Sequence, residues 1–153
     1  MKIRSYQHSD AVSLCTLFFE TVHCVNANDY SQAQLNAWTS QIPDANLWHQ
    51  RMTKNTTLVA VDDEQIIGFG ELADKNHIHM LFCRYDRVRT GVGARLLVAL
   101  EKADLQPPQT SFTTFASTTA RAFFEAQGYR VIKQRTFVRN SVELCNFAME
   151  KHV

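Results

Sequence analysis

A strand-like apolar run, His77-Ile78-His79-Met80-Leu81-Phe82-Cys83, leads into Arg87-Val88-Arg89-Thr90-Gly91-Val92-Gly93-Ala94-Arg95-Leu96-Leu97. This junction constrains the chain more than any other segment. Glycines at i and i+2 let a backbone turn tightly and bring its amides up to an anion without a Cβ in the way. A helix starting at such a turn aims its unpaired N–H groups and positive dipole end at the same place. Arg84, Arg87 and Arg89 add charge around it. Strand, basic Gly-x-Gly turn and helix together suit a phosphate-bearing ligand. The same residues also fit a plain turn ahead of a surface helix. Two familiar phosphate motifs are excluded: position 96 is Leu, so the third glycine of a dinucleotide site is missing, and no Gly-Lys-Ser/Thr follows for a P-loop.

The rest of the chain supplies elements of alternating type. Lys2 to Tyr6 reads as a strand, and Ser9 as the cap of a helix carrying Val12, Cys15, Leu17, Phe18 and Val22 at helical spacing. Ser31 and Gln34 form a capping-box pattern ahead of Leu35 and Trp38, and a short helix through Leu47 and Trp48 follows Pro43 and Asp44. Thr57 to Val61 and Ile66 to Leu72 flank Asp62-Asp63-Glu64-Gln65 as a hairpin, and Ile78 to Cys83 is a third strand. Gly93, Leu96, Leu97 and Leu100 then lie on one helical face, which Pro107-Pro108 is expected to stop. Phe112 to Ala116 is a short strand, and Ser117 caps a helix that Gly128 terminates. Tyr129 to Val138 and Val142 to Met149 close the chain as two antiparallel strands.

The order β-α-α-β-β-β-α-β-α-β-β predicts an α+β (mixed α/β) fold, with a central, largely antiparallel sheet of about seven strands and helices on both faces. Length and composition predict one domain over residues 1–153. With 16 Lys and Arg against 15 Asp and Glu, a net charge of +1, there is no overall pull toward nucleic acid or membrane, and neither is expected as a partner. Cys15, Cys24, Cys83 and Cys145 are scattered without a C-x-x-C pair, which argues against a disulfide or zinc framework. With no signal-like or membrane-spanning stretch, the expected location is the cytoplasm, and no metal is expected.

Two motifs now carry a resemblance. Val88-Arg89-Thr90-Gly91-Val92-Gly93 is similar to the Gln/Arg-x-x-Gly-x-Gly/Ala coenzyme A loop of the GNAT superfamily of acyl-CoA N-acyltransferases. Ser117-Thr118-Thr119-Ala120-Arg121-Ala122-Phe123-Phe124-Glu125-Ala126-Gln127-Gly128-Tyr129 is similar to that superfamily's late Asn-x-x-Ala-x-x-Phe-Tyr-Glu-x-x-Gly-Phe run. The resemblance implies a GNAT-like fold and transfer of the acetyl group of acetyl-CoA to the primary amine of a small molecule or peptide. It implies that Met80 to Cys83 flank the pantetheine arm, through Leu81, Phe82 and Cys83, with the Leu81 N–H as oxyanion donor. Arg87, Arg89, Thr90, Gly91, Val92, Gly93 and Ala94 are then expected around the pyrophosphate, and Ser117, Ala120, Phe123 and Phe124 along the cofactor. Phe124 stands where many members carry a tyrosine that protonates the leaving thiolate, and Val88 and Ser117 also depart from the pattern.

Three residues are candidates for the general base. His77-x-His79-x-Leu81 resembles the His-x-His-x-Leu strand of arylalkylamine N-acetyltransferases, and residues two apart on a strand share a face. Glu71 lies on the preceding strand and reads equally as an Arg-paired strand residue. His23, Asp29, Tyr30 and Trp38 are candidates for the acceptor pocket, with Trp38 also reading as core. Two alternatives stay open: an acyl-CoA-binding protein without turnover, and an aminoacyl-tRNA-acetylating toxin. Oligomeric state is not legible, although dimers are common in families of this kind.

Overall fold

The stretches of period two pair into one sheet. Lys2–Ser5 (β1), Thr56–Asp62 (β2), Gln65–Ala73 (β3), His77–Cys83 (β4), Ser111–Ser117 (β5), Arg130–Arg139 (β6) and Val142–His152 (β7) stand in the order β1-β2-β3-β4-β5-β7-β6. Every neighbouring pair is antiparallel except β4 with β5, which runs parallel. The computed structural model describes residues 1–103 and 107–153. The β2–β3 hairpin turns through Asp63 and Glu64, both at positive φ (49° and 62°), and the β6–β7 hairpin turns likewise through Asn140 and Ser141. Two successive left-handed residues match the twist of the flanking strands.

Ala11–Cys24 (α1), Gln32–Trp38 (α2) and Ala45–Lys54 (α3) cover one face, where Leu14, Phe18, Leu35, Trp48, Met52, Val59 and Phe69 are buried together. Val92–Glu101 (α4) and Arg121–Ala126 (α5) cover the other, over Leu72, Ile78, Leu97, Leu100, Phe112 and Phe124. This is the mixed sheet with helices on both faces that the element order predicts. Burying each leucine of α4 contributes roughly 1.5–3 kcal/mol.

Helix boundaries follow their capping chemistry, with two differences from expectation. The capping box of α2 is present: Gln34 N–H donates to Ser31 Oγ at 3.1 Å, and Ser31 N–H donates to Gln34 Oε1 at 2.9 Å. The start of α1, however, is set by Asp10 and not by Ser9. A 3-10 turn over His8–Asp10 precedes the helix, and the buried Asp10 carboxylate accepts Gln7 N–H and a two-pronged Arg4 guanidinium. These donors hold the Asp10 carboxyl below the usual carboxylate range, the Arg4 hydrogen bond foremost. At its far end α4 stops at Glu101, ahead of Pro107, so the prolines are not what ends it. Gly128 terminates α5 at φ +94° as expected.

Register along β4 contains the feature that shapes the site. Glu71 pairs with Met80 and Leu72 with Ile78, so His79 is an extra residue opposite no partner: a β-bulge. The bulge reverses the alternation. Ile78 packs on the α4 side, whereas Met80 and Phe82 pack on the α1 side.

Candidate active site

Strands β4 and β5 are paired only at His77 with Thr113 and Ile78 with Thr114; beyond these residues the two strands part. Arg84 N–H donates across to Ile67 O on β3 at 2.8 Å, so the two-residue alternation turns the amides of Leu81 and Cys83 away from β3 and into the opening. The Thr21 hydroxyl confirms that direction by donating to the Cys83 carbonyl at 2.8 Å. The result is a cleft of about 1470 Å³ between the split strands, walled by α1, the loop into α2, the N-terminus of α4 and α5.

At one end of the cleft lies the glycine turn. Gly91 has φ +89° and begins α4, and a Cβ built there would meet nothing within 4 Å. That open space lies in front of the first amides of a ten-residue helix. Gly93 is required for a different reason: a Cβ would come to 3.3 Å from the Phe123 ring and 3.4 Å from Cys83 Sγ, so its absence lets α4 run close to both. Arg89, Gly91, Gly93 and Ala94 line the cleft, as do Leu81, Phe82 and Cys83 of β4 and Ser117, Ala120, Phe123 and Phe124 from the β5–α5 side. Arg87, Thr90 and Val92 do not line it. Arg87 is bound to Asp62 at 2.9 Å, the Thr90 hydroxyl donates to the Arg87 carbonyl, and Val92 is buried. Arg84 pairs with Asp86, so of the three arginines around the turn only Arg89 faces the cleft. Ser117 Oγ accepts Ala120 N–H at 3.0 Å, but this bond closes the turn between β5 and α5: the helix begins at Arg121 behind Ala120, with no side-chain cap, so Ser117 is not the expected N-cap. Phe124 is buried against Tyr129, their ring centroids 5.2 Å apart.

His77 and His79 both face the cleft. His77 Nδ1 is hydrogen-bonded to Thr113 Oγ1 at 2.8 Å, and its ring lies 4.8 Å from that of Phe115. Burial pushes the His77 imidazole below its ordinary value, with the neighbouring His79 adding to the effect. His79 is lowered too, again chiefly by burial, and the Glu71 charge opposes that shift. Both rings are therefore biased toward the neutral form at neutral pH. Glu71 does not open to the cleft. Fully buried beneath the bulge, its carboxylate accepts Arg51 Nε at 2.9 Å, Arg51 Nη2 at 2.9 Å and Asn55 Nδ2 at 2.7 Å. Arg51 lies one turn before the end of α3, and no sequence pattern pointed to it.

Of the four residues expected around an acceptor, three line the cleft and one does not. Asp29 accepts the Thr119 hydroxyl at 2.7 Å. Tyr30 donates its hydroxyl to the Cys145 carbonyl at 3.2 Å and accepts Thr118 N–H at 2.8 Å. Trp38 meets Tyr30 edge to face, the centroids 5.5 Å apart, and packs against the core that includes Phe18. His23 instead turns to Thr39 O at 2.7 Å and stays outside. Sequence reasoning missed Phe115, Arg135, Phe137 and Arg139, all of which line the cleft. Arg135, Phe137 and Arg139 occupy alternate positions of β6, a period-two signal that was present to be read.

The comparisons agree with this geometry. The sequence profile of the acetyltransferase (GNAT) domain matches residues 26–151. The uncharacterized N-acetyltransferase YafP of Escherichia coli K12 is 33% identical over 149 residues, covering 97% of this chain and 94% of that protein. The crystal structure of a GCN5-related N-acetyltransferase from Rhodopseudomonas palustris superimposes with a TM-score of 0.93 at 32% identity, covering 99% of this chain and 95% of that one. The PaiA N-acetyltransferase of Thermoplasma acidophilum, solved in complex with coenzyme A, shares the fold with a TM-score of 0.78 at 20% identity, covering 99% and 98% of the two chains. On sequence, fold and the split strands alike, the chain belongs to the GNAT acetyltransferase family.

Proposed function

We propose that this protein transfers the acetyl group of acetyl-CoA to a primary amine, by direct attack, with His79 accepting the amine's proton through a water molecule. The observation that carries the reading is the split between β4 and β5, which leaves the Leu81 amide directed into a cleft that ends at the glycine turn. The residues fit the cofactor. The opening accepts an extended arm that pairs with the free edge of β4, and the space in front of Gly91 receives a pyrophosphate at the α4 N-terminus, with Arg89 beside it. Acetyl-CoA, when bound, supplies an activated thioester.

The chain's own residues do the rest. An alkyl ammonium has a pKa near about 10.4, so the acceptor must lose a proton before it attacks. His79 sits in the bulge, one residue from Met80 and two from Leu81, and burial favours its neutral form. His77 stands next to it and is the second candidate for the same task. Glu71, held by Arg51 and Asn55, sets the charge beneath the bulge. Leu81 N–H is the donor toward a developing negative oxygen in the opening. Cys83 takes no covalent part: burial pushes its thiol up to about 11, so no thiolate is available near neutral pH. Among the described residues Tyr30 is the one tyrosine lining the cleft, and its O–H is already committed to Cys145 O. Water would therefore supply the proton to the leaving sulfur.

A thermal shift with acetyl-CoA, coenzyme A and ATP, followed by thiol release with a panel of amines, tests this reading. Stabilisation by both coenzyme A species and not by ATP, with thiol release that depends on an amine, is the expected result. Stabilisation without thiol release from any amine would favour an acyl-CoA-binding protein. No stabilisation would overturn the cofactor site itself.

A further inference from the structure

One wall of the cleft carries an exposed aromatic residue and two arginines. Phe115 is 51% exposed on the sheet face, although it is a large aromatic in the middle of a strand. The Arg135 guanidinium lies over its ring at 3.8 Å, and Arg135 Nη1 donates to Asn146 Oδ1 at 3.3 Å. Arg135 and Arg139 flank the Phe137 ring at 5.8 and 5.6 Å.

The charges on this wall are uncompensated. Arg4, Arg51, Arg84, Arg87 and Arg121 are in ion pairs, whereas among the described residues Arg135 and Arg139, like Arg89, Arg95 and Arg130, are in none. Among the described residues Asp29 is the one acidic residue lining the cleft, and its carboxylate accepts the Thr119 hydroxyl. With Arg89, Arg135 and Arg139 against the carboxylate of Asp29, the charged lining of the cleft is net positive, which disfavours a bare ammonium ion and attracts an anion. Beyond the Nη1 bond to Asn146, the stacked guanidinium keeps further N–H donors at its edge, and such a planar fork matches a carboxylate. Phe115 also touches His77, so the guanidinium lies on the same side of the cleft as this second candidate for the base.

We propose that the acceptor is an amino-carboxylate, an amine carrying its own carboxylate group. Arg135 holds the carboxylate, Arg139 reinforces it, and Phe115 and Phe137 offer an apolar face to the side chain. This rests on the acetyl-transfer reading for the amine and on the cleft wall alone for the anion.

The test compares common amino acids with their carboxamides, their decarboxylated amines and their phosphonate analogues, in thiol-release kinetics. In parallel, calorimetric titrations measure binding of the same compounds to the coenzyme A-loaded protein. The amino acid should exceed its carboxamide in kcat/KM by about 10- to 100-fold, the worth of a charge-assisted fork. Arg135→Gln should bring that ratio close to one. Arg130→Gln removes the same charge from the same strand outside the cleft lining and should keep the ratio. A ratio near one in the native protein, an undiminished ratio in Arg135→Gln, or a phosphonate preferred over the carboxylate would each overturn the proposal. Should no amine release thiol while carboxylates still bind in an Arg135-dependent way, acetyl transfer fails and the anion site stands. Turnover of amines without any carboxylate preference has the opposite meaning.

Discussion

At the scale of single residues, the proposed chemistry centres on the bulge at His79. His79→Ala should lower kcat by roughly 10²-fold or more with little change in acetyl-CoA affinity, measured by thiol release and calorimetry. Because partial desolvation lowers the imidazole pKa, the acid limb of the kcat/KM profile should fall with a midpoint below about 6.5, as falling pH protonates the proposed base. Glu71 is the control on that limb. Its negative charge favours the imidazolium, so Glu71→Gln should move the limb to still lower pH, and an unmoved limb would separate Glu71 from His79. The same substitution leaves Arg51 without its anion and should cost roughly 1–3 kcal/mol in chemical denaturation, less than a fully buried pair because Arg51 remains partly exposed. The two histidines were legible from their spacing on a strand. Arg51 was not, because an arginine late in a helix has no local signature; only the packing of α3 on β3 brings it to Glu71.

At the scale of elements, glycines decide how closely α4 approaches the sheet and what it can bind. A Cβ at Gly70 would lie 2.6 Å from Leu100 Cδ1, so Gly70→Ala should push α4 off the sheet and cost about 1–3 kcal/mol, read as a lower denaturation midpoint. Gly91→Asp should act differently. The new side chain meets open space, so the protein should fold, with a modest penalty for its left-handed φ. Its carboxylate would stand in front of the α4 N-terminus, and coenzyme A binding should be lost in a titration. Retained affinity would refute the placement of the pyrophosphate. Of these elements, the apolar face of α4 and the capping box of α2 were readable from spacing, since both are local. The start of α1 was misassigned to Ser9 because Asp10 acts through Arg4 on β1, a partner that proximity in the sequence does not reveal.

At the scale of the whole molecule, the sheet is a ladder broken at one joint. Beyond Ile78 and Thr114 the edges of β4 and β5 face each other across the cleft, and a ligand that pairs with them completes the sheet. Acetyl-CoA at about a hundredfold over its dissociation constant should therefore stabilise the fold by roughly 2.7 kcal/mol, visible as a higher Tm, with ATP giving none. The predicted order counted two helices where three stand ahead of β2, but by itself the sequence determined the seven strands and their order, the glycine turn and the histidine pair. Each of these rests on hydrogen bonds and apolar periodicity among residues close in the chain. The tertiary structure alone decided where the sheet splits, that Glu71 lies buried on Arg51 while His79 faces the cleft, and that Arg135 and Phe115 share its wall. Those outcomes depend on the register between strands far apart in sequence, and a single bulge residue reverses which side chains face the cleft.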